Sequence, residues 1–418
     1  MALGGSTFTL KNKVLPGAYL NFVSASKASP YFSERGSVCI PIELDWGVSG
    51  KFFEVTNEDF FSNAQKLFGY NSTELKQLSD LFMNVKTAFF YRLNGKTKAS
   101  CAFGEAKYEG IRGNDLKLVI KDNFTVITYL DNKEVDKQEV TSASELVDND
   151  YVVFNKEATL TATAGLSFTG GENNDDYDYD DFFVKAESES FNILASDTTD
   201  DDVKELFINF TKRMRDEVGV KFQTVLYKAD ADYQGVISVE NEVTDSKESD
   251  LIYWVAGIEA GCEINKSTLN KIYDGNFSIN ADYTQSELTN LLKEGKFVLH
   301  RVKDEKRVLS DRNSLVNGSE DFKDNQVIRV LDQIANDIAL LFRENYLGQV
   351  PNDTAGRISL WNDIVTHHKE LSTARAIEAF SSEDITVSEG ETKSSVLVTD
   401  CVTPVCAMAQ LYMTVIVS

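Results

Sequence analysis

The hydrophobic period of this chain changes twice along its length, and neither a single sheet nor a single helical bundle satisfies both changes. Between about residues 95 and 180 apolar residues alternate one by one in short runs, "DLKLVIKDN", "FTVITYLDN", "KEVDKQEV", "DYVVFN" and "TLTATAGLSF", split by Asn, Asp and Gly. A period of two broken by turn residues predicts a small antiparallel sandwich or barrel. From about residue 185 the pattern becomes strand–helix alternation. "FNILA", "GVKFQTVLYK" and "YQGVISVEN" read as strands, Val203, Leu206, Phe207, Phe210 and Met214 share a helix face, and "SDLIYWVAGIEAGCEI" is an apolar helix. Thr284 with Glu287 three residues on is a capping box, and Gly295 a helix stop. Such alternation predicts an α/β unit with a parallel or mixed sheet.

The flanks complete the division. Strands are expected near "SVCIPIEL" and "KFFEVT", followed by two helices and the strand "TAFFYRL". The second helix carries Leu75, Leu78, Leu81, Phe82 and Val85 behind Ser72 and Thr73 as possible caps. Late in the chain, a long helix near residues 325–346 aligns Val327, Leu331, Ile334, Ile338 and Leu341, and another contains "RISLWNDIVTHHKEL". The expected fold is therefore multidomain, α+β and α/β. It comprises an arm and linker over residues 1–35, the N-terminal part of a core domain over 36–94, an inserted antiparallel β-sandwich over 95–181, an α/β domain over 182–318 and a C-terminal α+β region over 319–418.

Both ends read as strands. Leu411, Met413, Val415 and Val417 alternate with Tyr412, Thr414 and Ile416, where chain ends are usually polar. After Pro16, Ala18, Leu20 and Phe22 alternate with Tyr19, Asn21 and Val23, and the polar "SASKASPYFSERG" follows as a linker. A bare strand presents unpaired backbone groups, which pair within its own domain or with another chain.

Chemistry is sparse. The formal net charge of −24, from 66 acids against 42 bases, argues against nucleic acid and anionic membrane surfaces as partners. The five cysteines are scattered and fit buried thiols better than a metal site. The acid-rich "GGENNDDYDYDD" lacks the glycine and closing glutamate of a calcium loop and reads as a solvated boundary. No nucleophile elbow, phosphate loop or dinucleotide fingerprint is present. Of three histidines, His300 alternates within the strand "KFVLHRV", and the adjacent His367 and His368 point about 100° apart on a helix, as partly exposed residues poorly placed to share a metal. No catalytic residue, cofactor or metal is expected.

Four segments in register resemble the tail sheath proteins of contractile phage tails, particularly those of PBSX-type prophages and tail-like bacteriocins. They are "NKVLPGAYLNFVS", "AKYEGIRGNDLKLVI" with Gly110, Arg112, Gly113 and Asn114, "YWVAGIEAGCEINKSTLN", and "PVCAMAQLYMTVIV". The resemblance spans nearly the whole chain. It implies a topologically subtilisin-like α/β domain, without that activity, and a C-terminal strand exchanged between subunits. The exchanged residues would be Ala18, Tyr19, Leu20, Asn21, Phe22 and Val23 at one end and Leu411, Tyr412, Met413, Thr414, Val415, Ile416 and Val417 at the other. It further implies six-membered rings stacked helically around an inner tube, with baseplate and tail terminator proteins as partners, in a virion or bacteriocin particle assembled in a bacterial cytoplasm. Contraction would drive the tube through a bacterial envelope. The part nearest the tube would come from the C-terminal region, where Arg357, Lys369 and Arg375, with His367 and His368, form a locally basic stretch. Rival readings are another self-assembling tail or surface-lattice protein, and a hydrolase built around His300.

Overall fold

The computed structural model of the chain describes residues 34–417. At its centre lies a seven-stranded sheet drawn from two separated stretches of sequence. Its order is Lys296–Phe297, Val236–Val239, Gln223–Tyr227, Ile193–Ser196, Ser37–Ile42, Thr87–Arg92 and Phe52–Thr56. Every neighbouring pair is parallel except the last, which is antiparallel. The central strands are covered on both sides: Val38, Ile40, Val225 and Ile237 enter one core, and Cys39, Leu194, Leu226 and Val236 the other. Double coverage is why these strands read as nearly continuous apolar runs.

The Leu251–Gly261 helix is buried from Leu251 to Ala260. A Cβ on Gly257 would lie 2.8 Å from the Leu81 carbonyl oxygen, and one on Gly261 2.0 Å from that of Asn84. The glycines therefore let this helix close on the Lys76–Phe82 helix and the turn after it. Lys76–Phe82 begins at Leu75 with no side-chain cap, so Ser72 and Thr73 do not cap it. The Thr284–Glu287 capping box forms as expected, and Gly295 takes φ 72° beyond its helix.

The period-two segment folds into two four-stranded sheets around a core that includes Leu116, Leu118, Ile120, Val126 and Leu130. One sheet runs Thr163–Ser167, Leu116–Ile120, Thr125–Leu130 and Lys133–Glu139; the other runs Glu172–Asn173, Gly95–Cys101, Gly104–Glu109 and Val152–Phe154. This sandwich is bolted to the central unit. Trp46, from the loop after the first central strand, is 1% exposed and packs into the sandwich core, its ring edge-on to Tyr108 at 5.3 Å. Arg92 donates from Nη1 to the carbonyls of Gly47 at 3.0 Å and Glu109 at 2.8 Å. Arg112 donates to the Gly69 carbonyl at 2.9 Å, pairs with Asp115 and Asp131, and stacks over Tyr70.

Candidate assembly interface

The C-terminal region is built on two long helices, each started by an aspartate. Asp324 accepts from the Gln326 amide ahead of Asn325–Asn345, and Asp353 from the Gly356 amide ahead of Thr354–Thr373. The first helix docks on the α/β unit through a polar face. Arg329 reaches Glu259 at 2.6 Å, Asp332 takes two bonds from Arg215 at 2.6 and 2.8 Å, and Gln223 donates to Asn325 at 2.9 Å. Burial and the neighbouring Asp311 carboxylate push Glu259 up to about 8. These charged residues lie between the apolar positions that first mark the helix, and only an unexplained Arg or Asp amid an apolar pattern could have pointed to them.

On the second helix, Leu360, Ile364 and Val365 pack with Ile385. Trp361 donates from Nε1 to the Ile385 carbonyl at 3.0 Å, pinning a hairpin of Ile385–Glu389 and Val396–Asp400. This hairpin is a sheet of two strands only, fully paired between them. Among the described residues neither outer edge carries a further strand, and the Ile385 end of one edge is covered by Trp361. A two-stranded sheet needs a further partner to be stable in water, and here the Thr354–Thr373 helix is that partner.

The chain then leaves the body. Val405 donates to the Ala376 carbonyl at 2.9 Å and Ala407 to the Gln326 side chain at 2.9 Å. Beyond them Leu411, Tyr412, Met413, Val415, Ile416 and Val417 are all more than two-thirds exposed, with Val417 at 90%. Leu411–Val417, including Thr414, joins no sheet among the described residues. Ala18 to Val23, the other expected strand, lies outside them.

The expected basic face of the second helix is corrected in part. His367 and His368 are both 0% exposed, so neither ring is available at the subunit surface. Each buried ring meets a carboxylate from a neighbouring element. His367 Nε2 lies 3.1 Å from Asp337, His368 Nδ1 lies 3.0 Å from the Ile364 carbonyl, and His368 Nε2 lies 2.9 Å from Asp400 at the hairpin's end. Arg357 is half-buried and held by Asn352 at 3.0 Å, while Lys369 and Arg375 are exposed.

Two features bear on chemistry. In an open α/β sheet ligands bind at the carboxyl ends of strands where the crossover direction reverses. Here that point falls between Ser37–Ile42 and Ile193–Ser196, in a cavity of about 220 Å³ whose walls include Tyr177, Tyr179, Asp197 and Lys247. Asp197 is already engaged by Lys247 at 3.1 Å and Tyr253 at 3.3 Å. His300 sits elsewhere, on a hairpin opposite Arg307, where partial burial lowers its pKa. Among the described residues no cluster could hold a metal ion, and no helix is long and apolar enough to cross a membrane.

Residues 94–174 match the profile of the phage tail sheath protein beta-sandwich domain, 172–314 that of the central domain and 318–418 that of the C-terminal domain. The chain belongs to the phage tail sheath family. It is 31% identical to the phage-like element PBSX protein XkdK of Bacillus subtilis (strain 168) over 99% of both chains. The crystal structure of the sheath tail protein from Desulfitobacterium hafniense superposes with a TM-score of 0.81 at 33% identity, covering 93% of this chain and 96% of that one. The contracted helical sheath of the anti-feeding prophage shares the fold at a TM-score of 0.59 and 12% identity, over 97% and 99% of the two chains. This sheath chain is thus a multidomain α/β protein with a β-sandwich domain, and its relatives are structural subunits.

Proposed function

We propose that this chain is the repeating subunit of a contractile sheath. Copies assemble as six-membered rings stacked helically around an inner tube, between a baseplate and a terminator, in a phage tail or tail-like particle. Contraction drives the tube through a bacterial envelope without nucleotide, cofactor or catalytic residue. The free energy is stored in the extended lattice and released as rigid subunits repack, a bistable arrangement of interfaces.

The observation that carries this reading is the pairing of a bare-edged hairpin with an exposed apolar terminal segment in one chain. A strand from one subunit, Leu411–Val417, and one from another, Ala18 to Val23, would complete the two-stranded sheet of a third. Backbone hydrogen bonds supply such contacts with little demand on side-chain fit, so they persist while subunits slide and rotate. The α/β domain keeps a subtilisin-like topology in this reading, and the Asp197 carboxylate in the wall of its switch-point cavity is held by Lys247 and Tyr253.

The tube contact falls to the exposed Lys369 and Arg375, with the half-buried Arg357 beside Asn352, since both histidines are internal. Exposed pairs of about 0–1 kcal/mol each hold a tube yet release it on contraction.

Electron microscopy of the purified full-length chain tests the reading. Hollow tubes of uniform width support it; flat sheets or closed rings would place the chain in a different lattice, and a strictly monomeric protein at high concentration would overturn it.

A further inference from the structure

The joint between the α/β unit and the C-terminal region holds more acid than base. Arg329 Nη2 lies 2.6 Å from Glu259 Oε2 and 3.5 Å from Asp311 Oδ2, so two carboxylates converge on one guanidinium nitrogen. Glu259, Asp311 and Arg329 are each at most 2% exposed. Two further guanidiniums stand close. Arg215 is committed to Asp332 through two bonds, and Arg35 lies beside Arg329, Asp332 and Glu259. Asp324, half-buried ahead of the Asn325–Asn345 helix, is near enough to Asp311 to feel its charge. Three guanidiniums therefore meet four carboxylates, and a buried charge left unbalanced costs more than taking up a proton.

The hydrogen bonds decide which acid takes that proton. Asp332 is held by Arg215 at both oxygens. Asp324 accepts from the Gln326 amide at 2.7 Å and Asp311 from the Thr268 amide at 3.1 Å, and an amide N–H can only donate. Glu259 is different, because its Oε1 faces the Thr268 hydroxyl at 2.8 Å. A hydroxyl donates or accepts, so Glu259 can carry a proton there with no heavy atom moving. Burial and the Asp311 carboxylate push Glu259 up to about 8, whereas burial holds the neighbouring Cys262 thiol up at about 11.

We propose that this cluster is a proton-operated lock between the α/β unit and the C-terminal region, closed while Glu259 carries its proton and loosened when the proton leaves. Once ionised, Glu259 and Asp311 share one guanidinium nitrogen, and their repulsion works against the contact between the Leu251–Gly261 helix and the Asn325–Asn345 helix. The region so loosened carries the hairpin and the terminal segment. The folded-state value of Glu259 stands above that of an unfolded glutamate, so the closed joint binds the extra proton from the ordinary glutamate range up to about 8. The joint therefore weakens as pH rises through that window. The lock belongs to the folded subunit and holds whether or not copies assemble into a sheath.

Hydrogen exchange of the full-length chain at about pH 7 and about pH 9 tests the lock, in a range above the titration of Asp324 at about 6. Amide protection along Asn325–Asn345, corrected for the intrinsic pH dependence of exchange, should fall about tenfold in the wild type, the factor for one proton lost near 8. In Glu259→Gln, which mimics the protonated state, protection should stay level. Asp311→Asn removes the acid that repels Glu259, so its fall should be smaller than the wild type's; it carries the test if the glutamine variant does not fold. An infrared carboxylic-acid carbonyl band should disappear from the wild type over the same range and be missing from Glu259→Gln throughout. A Glu259 that served packing alone would leave wild-type protection the same at both pH values, and that result overturns the proposal. A fall as large as the wild type's in either folded variant overturns it too.

Discussion

The guanidinium of Arg329 meets the carboxylate of Glu259 at 2.6 Å with both side chains 1% exposed. One residue belongs to the long C-terminal helix and the other to the glycine-bearing helix of the α/β unit, so the pair is a joint between regions. Asp311 also lies 3.5 Å from the same guanidinium. Arg329→Met would leave two acids buried without their cation, and should cost about 3–5 kcal/mol. Thermal unfolding should show the loss, while Arg329→Met combined with Glu259→Met and Asp311→Asn should recover most of it.

A joint of a different kind fixes the sandwich. Trp46 fills the sandwich core from a loop of the central unit and donates from Nε1 to the Lys66 carbonyl at 3.2 Å. Trp46→Ala should destabilise by about 3–5 kcal/mol. Calorimetry should show the sandwich and the central unit melting together in the native chain and separating in the variant. Excising the sandwich would expose Trp46 and Arg92 to water, so a deletion variant that keeps its fold needs both replaced by smaller polar residues.

Asp324 gives the stability a pH dependence of definite sign. Its folded-state pKa is raised to about 6, above the usual carboxylate value, by burial and Asp311. The folded state then binds more protons than the unfolded state between about pH 4 and 6, and stability falls as pH rises through that window. Asp324→Asn keeps a capping acceptor and removes the charge. It should be more stable than wild type by about 1–3 kcal/mol at pH 8 and equal to it near pH 4, measured by urea unfolding.

Removing residues 408–417 takes away exposed side chains and no sheet pairing among the described residues. The truncated chain should unfold within about 0.5 kcal/mol of the full one. It should also fail to form tubes under conditions where the full chain does, as read by sedimentation and microscopy. A loss of several kcal/mol would mean that the segment belongs to its own core.

The sequence made the period changes legible because they follow from burial geometry. Strands covered on one face alternate, as in "FTVITYLDN", and strands covered on both run apolar, as in "GVKFQTVLYK". That residues 36–94 belong to a core domain around an insertion is legible, but the pairing of Ser37–Ile42 with Ile193–Ser196 is not: parallel pairing at that separation leaves no local signal. The burial of His367 and His368 escapes the sequence for a related reason. Their burial depends on Asp337 and Asp400, 30 and 32 residues away in opposite directions, which supply polar partners that a helix pattern cannot reveal. Leu411–Val417 and Ala18 to Val23 stand out in the sequence as apolar alternation, whereas the two-stranded hairpin of Ile385–Glu389 and Val396–Asp400 emerges only from the fold.

The hairpin of Ile385–Glu389 and Val396–Asp400, with one open flank on each strand, has a consequence for connectivity. Under the proposed exchange, a body that accepts on two flanks and gives a segment at each terminus has a valence of four. Units of valence two make only strings, which part wherever one link opens. With four links per unit a closed net forms in which every body is held along several independent routes, so local breaks are bridged by their surroundings. Such a weave can change its diameter and its pitch together, as a braided sleeve does when pushed from its end, while no thread in it lengthens.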